Sequence, residues 1–357
     1  MGPCSDPDVI PLATTFLPAA FYGCAAVARQ EWRHYIGRFW QPLLPVTALP
    51  LAGAQAIELA GRSLLITQAP GQGVQAFVNR CPHRGVAFLP EKAGARPCRK
   101  LICPYHGWTY GLDGRLLAAA READYGDGFD RRAWDLEPVP CQVVAGMIWI
   151  ALGREPLPIE QQLDLVLEEA QPLLEQPRVV LGRHRQTLAC NWKMAHDNTL
   201  DDYHVAIAHP ATLHREQGPV RLYRHRLGGY ANLLATPWPS SASGTAEFLT
   251  FGLPPWNHLL LWPDGRLAVI SFVPQSLTSC QLELWLLGEA CWLPQADRLL
   301  QELRSFLAED QALVESAQQG YATLDASGDA SFRPGPPHRL EQRILHHQGL
   351  YTSLMPH

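Results

Sequence analysis

Four residues in two short segments have the types and the spacing of a metal site. The segments read CPHRG at 81–85 and CPYHGWTY at 103–110, so each supplies one cysteine and one histidine. Two thiolates and two imidazoles suit either a tetrahedral zinc ion or a [2Fe–2S] centre with two cysteines on one iron and two histidines on the other. The prolines and glycines, which favour tight turns, and the nearby aromatic residues favour the iron–sulfur interpretation. The predicted ligands are Cys81, His83, Cys103 and His106.

Two further histidines, His204 and His209, lie five residues apart in a stretch that we predict to be a helix over 190–209. Pro210 disfavours helical geometry at the residue before it. We therefore expect the second histidine to project from a helix end or a π-like widening, so that both imidazoles can converge on one ion. The candidate catalytic residues, which share a polar stripe with the first histidine, are Asn198 and Asp201.

The third ligand of such a site must come from another part of the chain. Asp310 lies within the apolar stripe of a predicted helix over 297–319, where a carboxylate is costly unless it is paired or bound to a metal. Glu309 and Glu315 fall outside that stripe and are interpreted as solvated surface charges. The alternative for this aspartate is an unusual helix cap or a partner in an ion pair. Two histidines and one carboxylate with open positions form the facial triad of mononuclear non-haem Fe(II) oxygenases, here His204, His209 and Asp310.

The elements around these residues predict an α+β protein. Short β-like runs punctuated by Gly and Pro fill residues 55 to about 150, as in a small all-β domain. Strands followed by a long helix then indicate an α+β second domain. We predict the domains as 1–40, 41–155 and 156–357, and the region 227–246, which has no charged residue, as turn-rich. Further helices are predicted within 26–40 and over 159–174 and 338–351, and further strands over 178–188, 258–262, 267–273 and 281–287.

Composition and charge restrict the class of protein. The chain has 357 residues, of which 47% are hydrophobic, and a net charge of −5 without any Lys- or Arg-rich stretch. We therefore predict a folded protein that does not bind nucleic acid. The one uncharged stretch near the N-terminus is interrupted by prolines, so we predict no membrane anchor. Nine cysteines, an odd number, favour a reducing compartment, here the cytoplasm.

The ordered set of motifs resembles the oxygenase (α) subunit of the Rieske non-haem iron oxygenases. The matching text is CPHRG, CPYHGW, NWK…N…D-x2-H-x4-H and a late ED-x4-E-x2-Q, and it spans most of the chain. The opening FLPAAFY and the tail EDQALVESAQQG are similar to the choline- and carnitine-type monooxygenases, whereas Asp201 resembles the ring-hydroxylating dioxygenases. Candidates for an aromatic cage around a cationic substrate, with ordinary core packing as the alternative, are Trp256, Trp262 and Phe272.

The resemblance implies an all-β Rieske [2Fe–2S] domain inserted before a helix-grip (START-like) catalytic domain with an antiparallel sheet. The N-terminal helical segment would pack on the catalytic domain, and three subunits would form a ring. It assigns the cluster to Cys81, His83, Cys103 and His106, and the mononuclear Fe(II) to His204, His209 and Asp310. Asp201 matches the acidic residue that links the two centres of neighbouring subunits.

The expected activity is that of a terminal oxygenase that uses O2 and two electrons to hydroxylate a small organic substrate, by mono- or dioxygenation, or to demethylate it oxidatively. The chain has no convincing GxGxxG fingerprint, so an NAD(P)H-dependent reductase must deliver electrons, directly or through a ferredoxin. The alternatives are a non-catalytic Rieske electron-transfer protein and a zinc-stabilised binding module. The second metal site argues against a pure electron carrier, which needs no mononuclear iron.

Overall fold

The computed structural model describes residues 13–238, 246–323 and 332–356, so residues 1–12 of the predicted N-terminal segment lie outside the description. The chain divides into two compact units. Gln41–Arg154 form one unit, and the residues before and after this range together form the other. In the described part of the chain, no helix has the length and hydropathy to cross a membrane.

The unit Gln41–Arg154 is built from short strands in three sheets, with the orders β1-β11-β10, β5-β2-β3-β4-β9 and β6-β7-β8. Tight turns make such short antiparallel pairings possible. The β2–β3 hairpin turns at Ala60 and Gly61, both with positive φ (49° and 79°), as a two-residue loop of matching twist requires. The strands are β1 Trp40–Pro45, β2 Gly53–Leu59, β3 Arg62–Ala69, β4 Gly73–Val78, β5 Arg96–Pro97, β6 Leu101–Ile102, β7 Thr109–Tyr110, β8 Leu116–Ala118, β9 Pro138–Val139, β10 Cys141–Val144 and β11 Met147–Ala151.

The other unit is a seven-stranded antiparallel sheet covered by helices, with the strand order β12-β18-β17-β16-β15-β14-β13. Its strands are β12 Val179–Leu188, β13 Arg224–Leu227, β14 Asn232–Pro237, β15 Glu247–Leu253, β16 Asn257–Leu261, β17 Leu267–Pro274 and β18 Cys280–Gly288. The helices are α1 Ala25–His34, α2 Ile159–Gln162, α3 Asp164–Leu174, α4 Trp192–Leu200, α5 Val205–Ala208, α6 Leu213–Gln217, α7 Ala296–Tyr321 and α8 Gln342–Leu354. The α+β class, with a β-rich domain before an antiparallel catalytic sheet, is therefore confirmed.

Helix α7 packs along β12, and α4 contacts both α7 and the sheet. The buried residues of α7 recur three or four positions apart, from Leu299 through Leu303 and Phe306 to Val314, which gives the helix one continuous apolar face. Asp310 interrupts this face. Because α4 and α7 lie against the same sheet, polar residues on their facing sides come together over the middle strands.

Two local predictions were wrong. The predicted helix over 190–209 is two helices, because Asp201 leaves helical geometry and its Oδ1 accepts hydrogen bonds from the amides of Tyr203 (2.8 Å) and His204 (3.4 Å). A side chain that captures backbone N–H groups in this way competes with the helix. The region 227–246 contains β14, a fully paired inner strand, so its lack of charge reflects burial; residues 239–245 lie outside the description.

Candidate active site: a cluster site and a metal triad

The four predicted cluster residues lie on two loops of matching geometry. In each loop the amide of the cysteine donates to the carbonyl five residues later, at 2.8 Å for both Cys81 and Cys103. Gly85 and Gly107 donate back to the cysteine carbonyls at 2.9 and 3.0 Å. Both glycines have positive φ, 76° and 70°, which other residues rarely adopt. Each loop therefore presents its cysteine and its histidine on one tight turn.

The side chains of these loops fit a two-iron cluster. Both cysteines are buried, and the rings of His83 and His106 lie 4.6 Å apart. The Nδ1 atom of each histidine is buried without a hydrogen-bond partner, as a metal-ligating nitrogen would be before its ion is added. Stacking against Trp108, at 4.8 Å, fixes the ring of His83.

The four ligand side chains of the two loops favour one of the two metal alternatives. A tetrahedral zinc ion, with bonds of about 2.0 to 2.3 Å, brings all its ligand atoms within about 4 Å of one another. Among the described residues, only the group on α5 and α7 brings three candidate ligand atoms within 4.8 Å of one another. The four side chains of the two loops form no such group, and two thiolates with two imidazoles are the donor set of a [2Fe–2S] centre.

The second group consists of His204, His209 and Asp310. The histidines flank α5 at its two ends, so their Nε2 atoms approach to 3.2 Å. Asp310 reaches them from α7, with its Oδ1 2.9 Å from Nε2 of His209 and 3.3 Å from Nε2 of His204. One atom from each side chain thus points at a common centre. The donor set, two imidazoles and one carboxylate, fits a divalent iron with open positions.

The charges of this group are strongly coupled. Burial lowers the pKa of His204, but hydrogen bonds and charge from Asp201 and Asp310 outweigh it and raise that pKa to about 10. Burial raises the pKa of Asp310, but the two histidines more than offset this and lower it. Protonated histidines offset the negative charge of the carboxylates in this group. A divalent cation binds neutral imidazoles, so it would release these protons and supply the positive charge in their place.

Glu309 corrects one prediction from the sequence. Its Oε2 accepts a hydrogen bond from Nδ1 of His209 at 2.6 Å and another from the Thr212 hydroxyl at 2.8 Å. The interpretation as a solvated surface charge was wrong, because the two ring nitrogens of His209 contact two successive residues of α7, Glu309 through Nδ1 and Asp310 through Nε2. Such a carboxylate orients a metal-bound imidazole through the ring nitrogen that does not bind the metal. Glu315 likewise has partners, the amide of Ala189 and the side chain of Gln311.

Asp201 lies on the other side of the triad. Its Oδ2 is 3.4 Å from Nδ1 of His204, a distance for charge attraction rather than an aligned hydrogen bond. The same carboxylate accepts the backbone hydrogen bonds that form the turn between α4 and α5. Asp201 therefore both stabilises this turn and faces the ring of His204. Asn198, at the end of α4, lines the cavity beside the triad and accepts a hydrogen bond from the Asp201 amide on its carbonyl.

A small cavity of about 40 Å³, which we call the inner cavity, adjoins the triad between α4, α7 and the middle strands. Leu260, Ile270 and Phe306 form apolar parts of its wall. None of the three candidate cage residues lines it; all three are buried in the core, and Trp256 packs against Trp192 at 5.7 Å. The sequence therefore suggested an aromatic cage that the inner cavity does not contain.

A buried network around Asp197 had no assigned role in the sequence analysis. Its Oδ2 accepts hydrogen bonds from the Tyr22 hydroxyl (2.7 Å) and from Nε2 of Gln348 (2.9 Å). Burial raises the pKa of Asp197 to about 7, more than these hydrogen bonds lower it. The feature of the sequence that could have revealed this network is MAHDN at 194–198. It places polar residues on α4, a helix that contacts α7, α8 and the sheet.

The comparisons with known proteins agree with this geometry. The model of the Rieske [2Fe–2S] domain matches residues 39–126, and that of the ring-hydroxylating α subunit catalytic domain matches residues 175–357. The carnitine monooxygenase oxygenase subunit of Escherichia coli K12 is 30% identical over 318 residues, 85% of this chain and 83% of its own. The corresponding subunit of Acinetobacter pittii is 27% identical over 332 residues, 89% and 87% of the two chains.

Solved structures agree at the level of the fold. A quaternary ammonium Rieske monooxygenase superposes with a TM-score of 0.81 at 24% identity, covering 99% of this chain and 98% of its own. Naphthalene 1,2-dioxygenase with bound indole gives 0.78 at 16% identity, covering 98% and 94%. The resemblance seen in the sequence is thereby confirmed, together with a [2Fe–2S] cluster and a mononuclear iron as cofactors. The chain belongs to the Rieske non-haem iron oxygenases, as an oxygenase α subunit.

Proposed function

We propose that Cys81, His83, Cys103 and His106 hold the [2Fe–2S] cluster of this terminal oxygenase, and that His204, His209 and Asp310 hold its catalytic iron. The observation that carries the proposal is the convergence of two Nε2 atoms and one carboxylate oxygen, all within 4.8 Å. A non-catalytic electron carrier has no use for this second site. We further propose that the chain works in the cytoplasm, where its many cysteines stay reduced.

The reaction is a hydroxylation, or a hydroxylation that leads to loss of a methyl group. It consumes O2, two electrons and two protons. A monooxygenation yields one hydroxyl group and water, whereas a dioxygenation places both oxygen atoms in the product. In a demethylation, the hydroxylated methyl group leaves as formaldehyde. The cluster supplies electrons, and the iron supplies the site at which dioxygen is activated. The chain's own residues have the remaining tasks. Glu309 orients His209, Asp201 positions His204, and the apolar wall around Phe306 limits the access of water.

Electrons must reach the iron from outside the catalytic unit. We propose an NAD(P)H-dependent reductase, acting directly or through a ferredoxin, because the sequence lacks a convincing nucleotide fingerprint. We also propose a homotrimer in which Asp201 of one subunit faces His106 of the next, as the family resemblance implies. The relatives are named for carnitine, glycine betaine and terephthalate, and the substrate proposed here is likewise a small organic molecule.

The partition into two metal sites can be tested with two variants. Cys81→Ser removes a thiolate of the proposed cluster, so the visible absorption expected of the native chain should disappear. His204→Ala should keep that absorption and lose mononuclear iron and all substrate-dependent turnover. Iron analysis, absorption spectra and oxygen uptake with a surrogate reductase give the readouts. Bleaching of the cluster in His204→Ala would contradict the proposed partition.

The class of reaction needs a substrate screen. Candidate small molecules are incubated with the holoenzyme, NADH and a surrogate reductase, and scored by oxygen uptake together with a hydroxylated or demethylated product. We expect at least one compound to give product in proportion to oxygen consumed. Oxygen uptake that never yields product, across acids, amines and aromatic compounds, would contradict an oxygenase function.

A further inference from the structure

The inner cavity beside the triad is too small for an organic substrate. Its volume of about 40 Å³ holds only a few waters, whereas small-molecule sites occupy about 300 to 1,000 Å³. A second cavity of about 300 Å³, which we call the outer cavity, lies next to it. Phe306 and Leu213 line both cavities, so these two side chains form the partition between them. A molecule that enters the outer cavity reaches the triad by displacing this partition.

Arg266 gives the outer cavity a binding group for an anion. The residue is only 9% exposed, and its guanidinium lies between the rings of Trp262 (5.0 Å) and Trp292 (4.8 Å). Its Nε and Nη2 donate to Asp264 at 3.0 and 2.9 Å, while no described residue accepts a hydrogen bond from Nη1. Two rings and one carboxylate restrain this guanidinium, and its remaining donor is available to a molecule in the outer cavity that Arg266 lines.

The other charges of the outer cavity leave a positive excess. Glu302 pairs with Arg298 at 2.6 Å, and Asp264 is used by Arg266. Arg215 lines the same cavity, and no carboxylate among the described residues forms an ion pair with it. Leu286, Leu299 and Leu303 provide the apolar remainder of the wall. The outer cavity therefore suits a molecule with one anionic end and an apolar body.

We propose that the substrate is a small organic carboxylate that spans the two cavities. Its carboxylate accepts hydrogen bonds from Nη1 of Arg266, and its apolar body passes Phe306 to place a carbon atom beside the triad. The inner cavity has one benzene-type ring, that of Phe306, and no cage for a cationic group. This inference rests on the proposed oxygenase function and adds to it the chemical class of the substrate.

The first test compares acids with their amides. Binding of benzoate and benzamide, and of hexanoate and hexanamide, is measured by calorimetry on the anaerobic holoenzyme. The native chain should bind each acid more tightly than its amide. Arg266→Gln should lose about tenfold in affinity for the acids, about 1.4 kcal/mol, with little change for the amides. Arg266→Lys should recover only part, because an ammonium lacks the planar fork.

Arg183 provides a matched control. Arg183 also stacks on a tryptophan, Trp285 at 4.6 Å, and pairs with Glu283, but it does not line the outer cavity. Arg183→Gln should leave acid binding unchanged. Because each variant is judged by its ratio of acid to amide affinity, a general loss of folding does not imitate the expected result. Equal binding of acids and amides by the native chain, or no binding of any carboxylate, would overturn the proposal.

The second test addresses the partition. Phe306→Ala should merge the two cavities and improve the affinity for 4-biphenylcarboxylate relative to benzoate by about tenfold. Leu299→Ala, which enlarges only the outer cavity, should not change this ratio. Iron content is measured in both variants because the Phe306 ring lies 6.5 Å from that of His209. An unchanged ratio in Phe306→Ala would show that the residue does not separate the two spaces.

Failure of this inference can be told apart from failure of the proposed function. If carboxylates do not bind, but a cationic or neutral compound gives product and oxygen uptake, the substrate class is wrong and the oxygenase function stands. If both iron centres are present and no compound of any charge yields product, the proposed function itself is wrong.

Discussion

Two neighbouring carboxylates on α7 have different tasks at the same imidazole. Asp310 approaches Nε2 of His209 at 2.9 Å, and Glu309 accepts a hydrogen bond from Nδ1 of that ring at 2.6 Å. The apolar stripe of α7 was enough to find the first of these residues, because a carboxylate on a buried face needs a partner. The stripe could not identify Glu309, because helical periodicity does not show which side chains of another element contact the helix. Sequence alone therefore singled out Asp310, which the fold brings to His209, and missed Glu309, which contacts the same ring.

The two carboxylates should differ in their effect on iron. Asp310→Ala removes a ligand atom, so we expect loss of nearly all mononuclear iron and of turnover. Glu309→Gln keeps the ligand set and weakens only the orientation of His209, so iron affinity should fall by about 10- to 100-fold. Metal titration of iron-depleted protein measures both. Glu302→Gln, a change on the same helix, serves as the control, and full iron affinity in Glu309→Gln would contradict the orienting role.

Asp197 should make stability depend on pH. Its pKa of about 7 in the folded chain lies above the value of 3.8 for a free aspartate. The folded state therefore binds more protons between these values, and its stability falls as the pH rises through this window. A shift of about three units corresponds to at most about 4 kcal/mol. The titratable groups around it are Tyr22, Tyr35, Tyr321, Lys193, Asp201 and His347.

Asp197→Asn tests this dependence. The amide carries no charge, so the variant should be more stable than the native chain at about pH 8, and the two should converge near pH 4. Denaturant unfolding at a series of pH values gives the difference, in which the titration of all other groups cancels. A variant that is less stable than the native chain at about pH 8 would show that the buried carboxyl stabilises the fold in its ionised form.

At the scale of the elements, sequence patterns predicted those helices and strands whose apolar residues follow a regular local spacing. The strands over 178–188, 267–273 and 281–287 and the helix over 297–319 occur within a few residues of their predicted bounds, because apolar alternation and helical periodicity are local signals. The break between α4 and α5 was missed, since a single side chain decides it. Strand β14 was missed because an uncharged stretch can be a loop or a buried strand. Its pairing with β13 and β15, which the sequence does not show, makes it a strand.

A buried ion pair ties three helices together. Nζ of Lys193 on α4 lies 2.6 Å from Glu31 on α1, both side chains are 3% exposed, and the Tyr351 hydroxyl of α8 donates to the same carboxylate at 2.8 Å. Removing one partner leaves an uncompensated charge. Glu31→Gln should therefore cost about 3 to 5 kcal/mol of unfolding free energy.

The matched experiment removes both charges. Because an apolar pair of similar size is often no less stable than a buried ion pair, Glu31→Leu with Lys193→Met should recover much of the loss. Denaturant melts of the two single variants and the double variant form a double-mutant cycle. Additive losses in the double variant would show that the two side chains do not act as a pair.

At the scale of the whole molecule, the two units divide the chemistry. The unit Gln41–Arg154 contains the four predicted cluster residues, and the other unit contains the triad. In the proposed function, electrons pass from the cluster to the mononuclear iron. The proposed link is Asp201, which lies 3.4 Å from His204 and whose side chain is 22% exposed. Tyr203 and Ile207, nearby in the sequence, are exposed hydrophobic residues, which supports the proposal that another subunit covers this surface.

Asp201→Asn should separate electron transfer from metal binding. The amide keeps the size of the side chain and can still close the turn before α5, so both iron centres should be retained at native content. It loses the charge that faces His204, so the cluster should be reduced normally by the surrogate reductase while product formation falls by at least about 100-fold. Asp202→Asn is an unsuitable control, because Asp202 pairs with the buried Arg343 at 3.0 Å. Asp264→Asn is also unsuitable, because it removes the charge that pairs with Arg266. The exposed Asp297→Asn at the start of α7 is the better comparison and should behave as the native chain.

The same variant tests the proposed trimer, because a link between subunits needs the assembly. Sedimentation should give three subunits for the native chain and for Asp201→Asn, which places the defect after assembly. Dilution of the native holoenzyme below the dissociation constant of the trimer should lower turnover per iron while single subunits keep both centres. A fully active monomer would mean that electrons cross within one chain. Near-normal turnover in Asp201→Asn would mean that another route connects the cluster to the iron, and either result would remove the basis for assigning this carboxylate to the junction between subunits.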